Sequence, residues 1–372
     1  MMDTPPLDAD IRRRIAVAGP MPVSQFMHLC LSHPEHGYYT TRDPLGRAGD
    51  FITAPEISQM FGELIGLWAA EVFRLMGAPA SVLLIELGPG RGTLMADALR
   101  AAKAAPEFRN AVAVHLVETS PALRQCQRDT LASLDVPTHW HDVLADVPEG
   151  PSIIVANEFF DALPVNQVVK QADGWHERVV ELDPNDAFAF SVVAEPLRWF
   201  EQTLPRGVRE APLGSIYEWR SDHVVLEMSQ RLRRSGGAAL VIDYGHTTSA
   251  AGETLQALRN HAFSDPLAAP GLADLTAHVD FEAIASSAQS IGARTHGPIE
   301  QALFLRRLGL EIRAASLKAV APPSAAPKID AAVARLTEGG KTGMGTLFKV
   351  LGLSGPQLAT LPGFHGTAEA GQ

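Results

Sequence analysis

The stretch VLLIELGPGRGTLMAD, residues 82–97, decides the fold class, because an apolar strand pattern runs into three glycines and then into a helical pattern. Further β-rich apolar runs follow it, separated by helical stretches: AVAVHLVE, SIIVA and AALVIDYG. This alternation predicts a parallel sheet with helices on both faces. We therefore expect an α/β fold with a doubly wound core.

Changes in this pattern give the expected organisation of the chain. Residues 1–80 have apolar positions at helical spacing and predict an N-terminal helical region with a long, glycine-containing loop. The core is expected over residues 81–355, with inserted segments at about 172–221 and about 246–286; strand patterns in the first of these predict an antiparallel hairpin. GTLFKVLGL predicts the last strand, and residues 356–372 are expected to form a disordered tail.

Composition excludes several classes of protein. A chain of 372 residues with 46% hydrophobic residues can bury a large core. Its net charge of -11, without a cluster of Lys and Arg, argues against binding nucleic acid. Cys30 and Cys126 form no CxxC pair, which argues against a disulfide scaffold or a zinc cluster and favours a reducing compartment.

The sequence also bears on location. It has no run of eighteen apolar residues, and its first ten residues hold three Asp and neither Lys nor Arg. These features argue against a membrane span, a signal peptide and a transit peptide. We expect a cytoplasmic protein, whose oligomeric state the sequence does not indicate.

The glycines of the opening stretch predict a loop that lies close to a ligand. Gly88, Gly90 and Gly92 have the spacing GxGxG, whereas a dinucleotide-binding fingerprint would have its third glycine at the position of Thr93. Glu86, at the end of the strand, would repel a pyrophosphate and attract an ammonium or a sulfonium. The alternative is a plain glycine-rich turn between a strand and a helix.

Two further acids follow the next predicted strands. Glu118 ends the second strand, where doubly wound folds place the residue that accepts ribose hydroxyls, and Asp142 follows the third, where it could meet an adenine amino group. Taken singly, each acid could be a helix cap or a solvated loop charge. Taken together, they describe a ligand with a ribose, an adenine and a positive centre but no phosphate, which predicts S-adenosylmethionine as the cofactor.

Longer motifs resemble those of the MidA-like methyltransferases. The motifs are GYYT, GDFITAPEISQMFGELIG, IELGPGRGTLMAD, VETSPALR, NEFFDALPV, VIDYG, HVDFEAI and MGTLFKVL, and the resemblance runs from about residue 20 to residue 352. It implies an S-adenosylmethionine-dependent methyltransferase with a Rossmann-like core of seven strands, the last of them antiparallel. The sequence departs from the family at Trp219 and Arg220, where the family has a Ser-Pro pair after the residue matching Glu218.

The family's mitochondrial members help to assemble respiratory complex I and are linked to arginine methylation. The resemblance therefore implies a protein arginine methyltransferase whose substrate is a partner protein, such as a complex I subunit. Two other functions stay open: methylation of a small molecule, and a non-catalytic assembly chaperone that binds S-adenosylmethionine. Lysine is the main alternative acceptor.

The motif NEFFDALPV holds the candidate catalytic residues. Glu158 and Asp161 could grip a guanidinium, because its planar donors match carboxylates bidentately. Phe159 and Phe160 would supply cation-π walls or exclude water, and Asn157 would hold the loop. In the alternative interpretation Glu158 is an acid in the first turn of a helix, Asp161 is solvated and both phenylalanines belong to the core.

Other candidates come from two loops. Asp50, Thr53 and Glu56 are expected to face the cofactor from a covering loop, which predicts slower proteolysis near Arg47 when cofactor is bound. His278 and Asp280 could orient the substrate or accept a proton, although a lone histidine is more often a core residue. The pairs formed by His33 with His36 and by His139 with His141 lack a further ligand nearby, so no metal site is predicted.

Overall fold

The computed structural model describes residues 6–41, 53–259, 262–340 and 343–364, and within them it confirms the predicted α/β fold. The strands are β1 Met21–Pro22, β2 Val82–Leu87, β3 Val112–Val117, β4 Thr138–His141, β5 Ser152–Asn157, β6 Val165–Gln171, β7 Gly174–Leu182, β8 Phe188–Pro196, β9 Ile216–Arg220, β10 Gly237–His246, β11 Gln256–Arg259, β12 Ala262–Ser264, β13 Asp274–Thr276, β14 Val279–Asp280, β15 Arg294–Glu300 and β16 Phe348–Ser354.

The α-helices show the predicted alternation with these strands. They are α1 Pro6–Ala18, α2 Val23–Ser32, α3 Tyr38–Thr41, α4 Ala54–Ile57, α5 Gln59–Leu75, α6 Thr93–Ala101, α7 Pro106–Ala111, α8 Pro121–Leu131, α9 Phe200–Thr203, α10 Arg206–Arg209, α11 His223–Ser235, α12 Phe281–Ser290, α13 Gln301–Arg307, α14 Leu310–Val320 and α15 Ala326–Thr337. Short 3-10 turns lie at Ala102–Ala104, Leu144–Asp146 and Pro323–Ala325.

The chain divides into two compact units. The small unit consists of Met1–Phe51, Asp161–Ser221 and Thr248–Asp280, and the large unit of Ile52–Phe160, Asp222–Thr247 and Phe281–Gln372. The motif NEFFDALPV crosses from the large unit to the small unit between Phe160 and Asp161.

The large unit is built on a sheet of seven of its strands, in the order β15-β16-β10-β5-β2-β3-β4. The strands β10, β5, β2, β3 and β4 pair in parallel, whereas β16 is antiparallel to both of its neighbours. From β2 the chain builds the sheet outward to β4 and then returns to β5 on the other side of β2. This reversal is the position at which doubly wound sheets bind ligands.

Burial explains why the central strand reads as a continuous apolar run. Every residue of β5 is buried, because β2 and β10 pair with its two edges and the helices α5 and α11 contact it. Ile153 and Val155 belong to one core cluster together with Trp68 of α5 and Leu99 of α6. Strand alternation turns Ile154 to the other face, and α11 also contacts this strand.

The small unit has two sheets and its own core. One sheet has the order β1-β7-β6-β9 with β8 paired to β7, and the other has the order β12-β11-β13. The antiparallel pairing of β7 with β8 confirms the hairpin predicted from the sequence. Phe26 and Met27 of α2 are fully buried in a cluster with Leu7, Val180 and Leu275.

The unit boundaries differ from the predicted segments at several points. Residues 1–80 do not form one unit, because α1, α2 and α3 lie in the small unit and α5 in the large unit. The expected tail begins too early: Leu358 and Leu361 are buried in the core of the large unit, and the Phe364 ring packs against Phe304. Residues 365–372 of that tail lie outside the described residues.

No helix among the described residues has both the length and the apolar character that crossing a membrane requires.

The contact between α5 and α6 generates a prediction about stability. A Cβ added at Gly66 would lie 2.4 Å from the Ala98 carbonyl oxygen, so the two helix backbones cannot accommodate a side chain there. Alanine favours a helix over glycine by about 1 kcal/mol, but overpacking costs about 1–3 kcal/mol, so we expect Gly66→Ala to destabilise. Thermal unfolding should show a lower Tm for Gly66→Ala and little change for the control Gly252→Ala, whose added Cβ meets nothing within 4 Å. An unchanged or higher Tm of Gly66→Ala would contradict the close packing.

Candidate functional site

Polar side chains lie at or just after the carboxyl ends of neighbouring parallel strands of the large unit. Glu86 lies in β2, Glu118 follows β3, Asp142 follows β4 and Asn157 ends β5. The carboxyl ends of parallel strands meet at one edge of a sheet, so these side chains share that edge.

The loop after β2 depends on its glycines. Gly88, Gly90 and Gly92 have φ angles of 61°, 54° and 80°, in the left-handed region that residues with a Cβ rarely adopt. The Gly88 N–H donates to the carbonyl of Val117 at 3.0 Å, and the Gly92 N–H donates to that of Pro89 at 2.8 Å. The loop is thereby tied to the end of β3, and α6 begins at the next residue.

Glu86 is a buried carboxyl group beside this loop. It is 3% exposed, and its Oε2 atom has no hydrogen-bond partner among the described residues. Burial raises the pKa of Glu86 to about 8, because a charged carboxylate loses its hydration there without a compensating donor. At neutral pH the group therefore holds a proton in the protein alone, and a nearby positive charge would displace that proton.

Glu118 and Asp142 are linked to each other. The Glu118 carboxylate accepts the N–H of Ser120 at 2.8 Å and the Gln127 amide at 3.4 Å, and burial is the main cause that raises its pKa. The Arg124 guanidinium donates to the Glu118 carbonyl at 2.7 Å and to the Asp142 carboxylate at 2.6 Å. Asp142 is exposed, so its charge lies at the rim of this edge.

Glu56 of α4, one of the residues predicted to face the cofactor, contacts the end of the glycine loop. Glu56 accepts a hydrogen bond of 2.6 Å from the hydroxyl of Thr93, the first residue of α6. Thr53 is half-buried and directly precedes α4. Asp50 and the cleavage site near Arg47 lie outside the described residues.

Glu158 lies in a loop between β5 and β6, so the helix start proposed for it in the alternative interpretation is wrong. Its φ of 49° lies in the left-handed region, which a residue of a right-handed helix does not adopt. Its N–H donates to the carbonyl of Ile242 at 2.9 Å. Its Oε1 atom accepts the Ala54 N–H at 3.0 Å and the Asn157 side-chain amide at 3.2 Å. The carboxylate therefore has a defined orientation.

The two phenylalanines differ in their surroundings. The Phe159 ring packs on the glycine loop, with its Cδ2 atom 2.9 Å from the position that a Cβ on Gly88 would take. Phe160 is 2% exposed and meets Phe159 edge to face at 5.4 Å between ring centroids. Phe160 thus has the core position that the alternative interpretation gave it.

Asp243 was missed by the sequence reasoning. It lies in β10, is fully buried and accepts backbone N–H bonds from Phe159, Phe160 and Tyr244. The available signal was an acid within the apolar strand VIDYG, where a charged residue needs partners to be tolerated.

In the small unit, Asp161 is 6% exposed, so the interpretation of it as a solvated charge is wrong. Its carbonyl accepts the N–H of Ala277 at 3.1 Å. Loss of hydration is the main cause that holds the pKa of the Tyr39 phenol well above its usual range, and the negative charges of Asp274 and Asp161 raise this pKa further. The Tyr39 hydroxyl donates to the Asp274 carboxylate at 2.9 Å.

Arg220 is the second residue that the sequence reasoning did not assign to the site, although it noted that position as a departure from the family. Its guanidinium joins two loops by donating to four backbone carbonyls: those of Asp161 at 3.2 Å, Leu163 at 3.2 Å, Ala277 at 2.6 Å and His278 at 2.7 Å. The predicted residue His278 lies in one of these loops, and Asp280, which is 9% exposed, ends the short strand β14 that follows it.

Across the described ranges, no group of three or more His, Cys, Asp or Glu side chains is arranged to hold a metal ion. His115 and His141, on neighbouring strands, instead form a direct contact of 2.9 Å between ring nitrogens.

Comparison with known proteins decides the family. Residues 64–299 match the model of an S-adenosyl-L-methionine-dependent methyltransferase family. The chain is also 38% identical over 339 residues to the human "Protein arginine methyltransferase NDUFAF7, mitochondrial", an alignment that covers 83% of this chain and 74% of that protein. The chain belongs to the MidA-like methyltransferases.

Other similar proteins support the same family assignment. The Drosophila melanogaster "Protein arginine methyltransferase NDUFAF7 homolog, mitochondrial" is 37% identical over 378 residues, covering 93% of this chain and 84% of that protein. The crystal structure of a Burkholderia thailandensis protein bound to S-adenosyl-homocysteine matches with a TM-score of 0.84 and 32% identity, covering 96% of this chain and 94% of the other. The cofactor of the methyltransferase is S-adenosylmethionine.

The residues at the sheet edge fit this cofactor. Two buried acceptors, Glu86 Oε2 and Asn157 Oδ1, have no partner in the described part of the chain, and they lie on adjacent strands. Such acceptors suit an ammonium or sulfonium, while Glu118 suits ribose hydroxyls. We propose that Glu86 and Glu118 hold the cofactor. The other residues proposed for the cofactor site are Gly88, Gly90, Gly92, Asp142, Asp50 and Thr53.

The glycine loop gives the first test of this cofactor site. Valine at position 90 would place a branched side chain on a backbone with a φ of 54°, in the path of the ligand. We expect Gly90→Val to abolish binding of S-adenosylhomocysteine in isothermal titration while circular dichroism still shows a folded chain. Undiminished affinity of the folded variant would contradict the assignment.

Glu86 gives a prediction about pH. Its pKa of about 8 in the protein is above that of an unfolded glutamate, so its contribution to stability falls as pH rises from about 4.5 to 8. The ammonium of the ligand favours the carboxylate form of Glu86, so binding between these pH values should release close to one proton, and affinity should increase with pH up to about 8. Titration of S-adenosylhomocysteine at pH 7 in buffers of different ionisation enthalpy counts the protons.

The matched control for this measurement is Glu86→Gln, which keeps the neutral shape and cannot ionise. It should release fewer protons and show a flatter dependence of affinity on pH. Equal proton release by the wild type and Glu86→Gln would show that another group is titrating.

Proposed function

We propose that this methyltransferase methylates an arginine side chain of a partner protein. The observation that carries the proposal is that curated relatives named as protein arginine methyltransferases align with 83–93% of the chain at 37–38% identity. The oriented carboxylate of Glu158, at the edge of the sheet that carries the cofactor residues, supports it.

Glu158 has the properties that recognition of a guanidinium requires. Two donors fix its Oε1 atom, so the carboxylate presents a defined plane rather than a mobile charge. A guanidinium can form two parallel, charge-assisted hydrogen bonds with a carboxylate, whereas an ammonium is attracted to the carboxylate as a point charge and gains nothing from its planar shape. Glu158 therefore favours arginine over lysine as the acceptor, and Asp161 is the second acid proposed for this grip.

The chain's contribution to the reaction is positioning. When bound, the cofactor supplies a methyl group on a sulfonium. A guanidinium nitrogen forms the new bond to carbon as the bond between sulfur and carbon breaks, sulfur keeps the electron pair, and the nitrogen loses a proton to water. Glu158 and Asp161 would localise the guanidinium charge and align that nitrogen, while Phe159 would help to exclude water.

The partner and the compartment are part of the same proposal. The resemblance to family members that help to assemble respiratory complex I supports a complex I subunit as the methylated protein. The two cysteines, which are free, support a reducing compartment such as the bacterial cytoplasm. His278 and Asp280 are proposed to lie where the substrate binds.

The test of arginine methylation is turnover by single carboxylate variants. Glu158→Gln keeps the shape and removes the charge, so we expect it to lower kcat by about a hundredfold or more while the affinity for S-adenosylhomocysteine stays nearly unchanged. Asp161→Asn should act similarly but more mildly. Candidate complex I subunits are incubated with enzyme and isotopically labelled S-adenosylmethionine, and the modified residue is identified by mass spectrometry.

The control is Glu149→Gln, the same change at an exposed carboxylate of the large unit, which should keep full activity. Methyl groups found only on lysine or on a small metabolite would reject arginine as the acceptor. Cofactor binding without any turnover would indicate a chaperone, and full activity of Glu158→Gln would reject the role of its carboxylate.

A further inference from the structure

The loop that carries Glu158 is held by bonds to a strand far away in the sequence. Successive N–H groups of residues 158, 159 and 160 all donate to two adjacent residues of β10. Glu158 donates to the Ile242 carbonyl at 2.9 Å, and Phe159 and Phe160 donate to Asp243 Oδ2 at 3.2 and 3.0 Å. The loop therefore continues the contact between the parallel strands β5 and β10 beyond the end of β5.

Asp243 is suited to this role by its burial. Its side chain is fully removed from solvent, and its Oδ1 atom accepts the N–H of Tyr244 at 2.9 Å. A buried carboxylate is tolerated where several donors point at it, and charge-assisted bonds to backbone N–H groups are stronger than neutral ones. These bonds fix the path of the loop more firmly than a neutral acceptor would.

The backbone at Glu158 needs such support. Its φ of 49° is disfavoured for a residue with a side chain, and such conformations persist only where the surroundings over-determine them. Asp243 fixes the two peptide groups that follow Glu158, and Ile242 fixes the one that precedes its Cα. The orientation of the Glu158 carboxylate toward Ala54 and Asn157 follows from that backbone.

We infer that Asp243 is a positioning residue, which holds the Glu158 loop in the conformation that methyl transfer requires. The inference rests on the proposed function, in which Glu158 orients the methyl acceptor. Asp243 itself is fully buried, so it acts through Glu158 rather than by touching the substrate.

Asparagine at position 243 tests the inference with little change in shape. It has one oxygen instead of two, so its amide group must face either Tyr244 or the pair Phe159 and Phe160, and one set of N–H groups loses its acceptor. We expect Asp243→Asn to lower kcat by about tenfold to a hundredfold, since small misplacements of an orienting group have effects of that size. The affinity for S-adenosylhomocysteine should change by less than about threefold, as is usual when binding contacts are kept.

A double-mutant cycle separates positioning from general destabilisation. If Asp243 acts through Glu158, then Asp243→Asn in the Glu158→Gln background should cost less than about threefold in kcat, because residues that act as a unit are not additive. The control is Asp97→Asn, which changes a buried acid of α6 outside the site and should leave kcat unchanged in both backgrounds.

Four kinetic outcomes decide between these interpretations. The inference is supported if Asp243→Asn lowers kcat when Glu158 is intact but not in the Glu158→Gln background. Full activity of Asp243→Asn beside a nearly inactive Glu158→Gln, or equal losses in both backgrounds, overturns the inference and leaves the proposed function standing. Full activity of Glu158→Gln overturns the role of Glu158 and, with it, the inference.

A measurement on the wild type covers the case in which Asp243→Asn does not fold. Amide hydrogen exchange of the wild-type enzyme should protect Phe159 and Phe160 as strongly as the residues of β10, because their N–H groups are bound to a buried carboxylate. Exchange as fast as in exposed turns would overturn the inference without any variant.

Discussion

The cost of burying carboxylates at one edge of a sheet shapes the large unit of this protein. In Asp243 and Glu118, hydrogen bonds from backbone N–H groups offset the loss of hydration of the carboxylate, and the same bonds fix the loops that follow the strands. Within the described residues Glu86 has no such donor for its Oε2 atom, and its carboxyl group is instead protonated at neutral pH. The same constraint therefore produces two kinds of group, one that organises loops and one that is ready to meet a cation.

Local sequence patterns predicted most of the sheet, because burial on both faces leaves continuous apolar runs such as that of β5. They did not predict the loop at Glu158. Acids after an apolar run favour a helix start locally, whereas the bonds that decide its conformation come from Ile242 and Asp243, more than eighty residues along the chain. A left-handed φ at a glutamate has no signature in residue type, so only tertiary contacts show it.

The candidate site shows the same division. Glu86, Glu118 and the glycines could be found from the sequence, because each is a particular residue type at a fixed offset from a strand. Arg220 could not be found in this way. It binds backbone carbonyls, which every residue has, in loops far apart in the sequence. Its position looked like a departure from the family pattern, yet its guanidinium joins the loops of Asp161 and His278 in the small unit.

A crystal structure of this methyltransferase with S-adenosylhomocysteine tests the central claim most directly, namely that the strand-end acids of the large unit form the cofactor site. We predict that the ribose hydroxyls bind the carboxylate of Glu118, that the ligand follows the backbone of the glycine loop, and that its amino group lies within hydrogen-bonding distance of Glu86 or Asn157. A ligand bound elsewhere, or one whose amino group leaves Glu86 and Asn157 without a partner, would contradict the account.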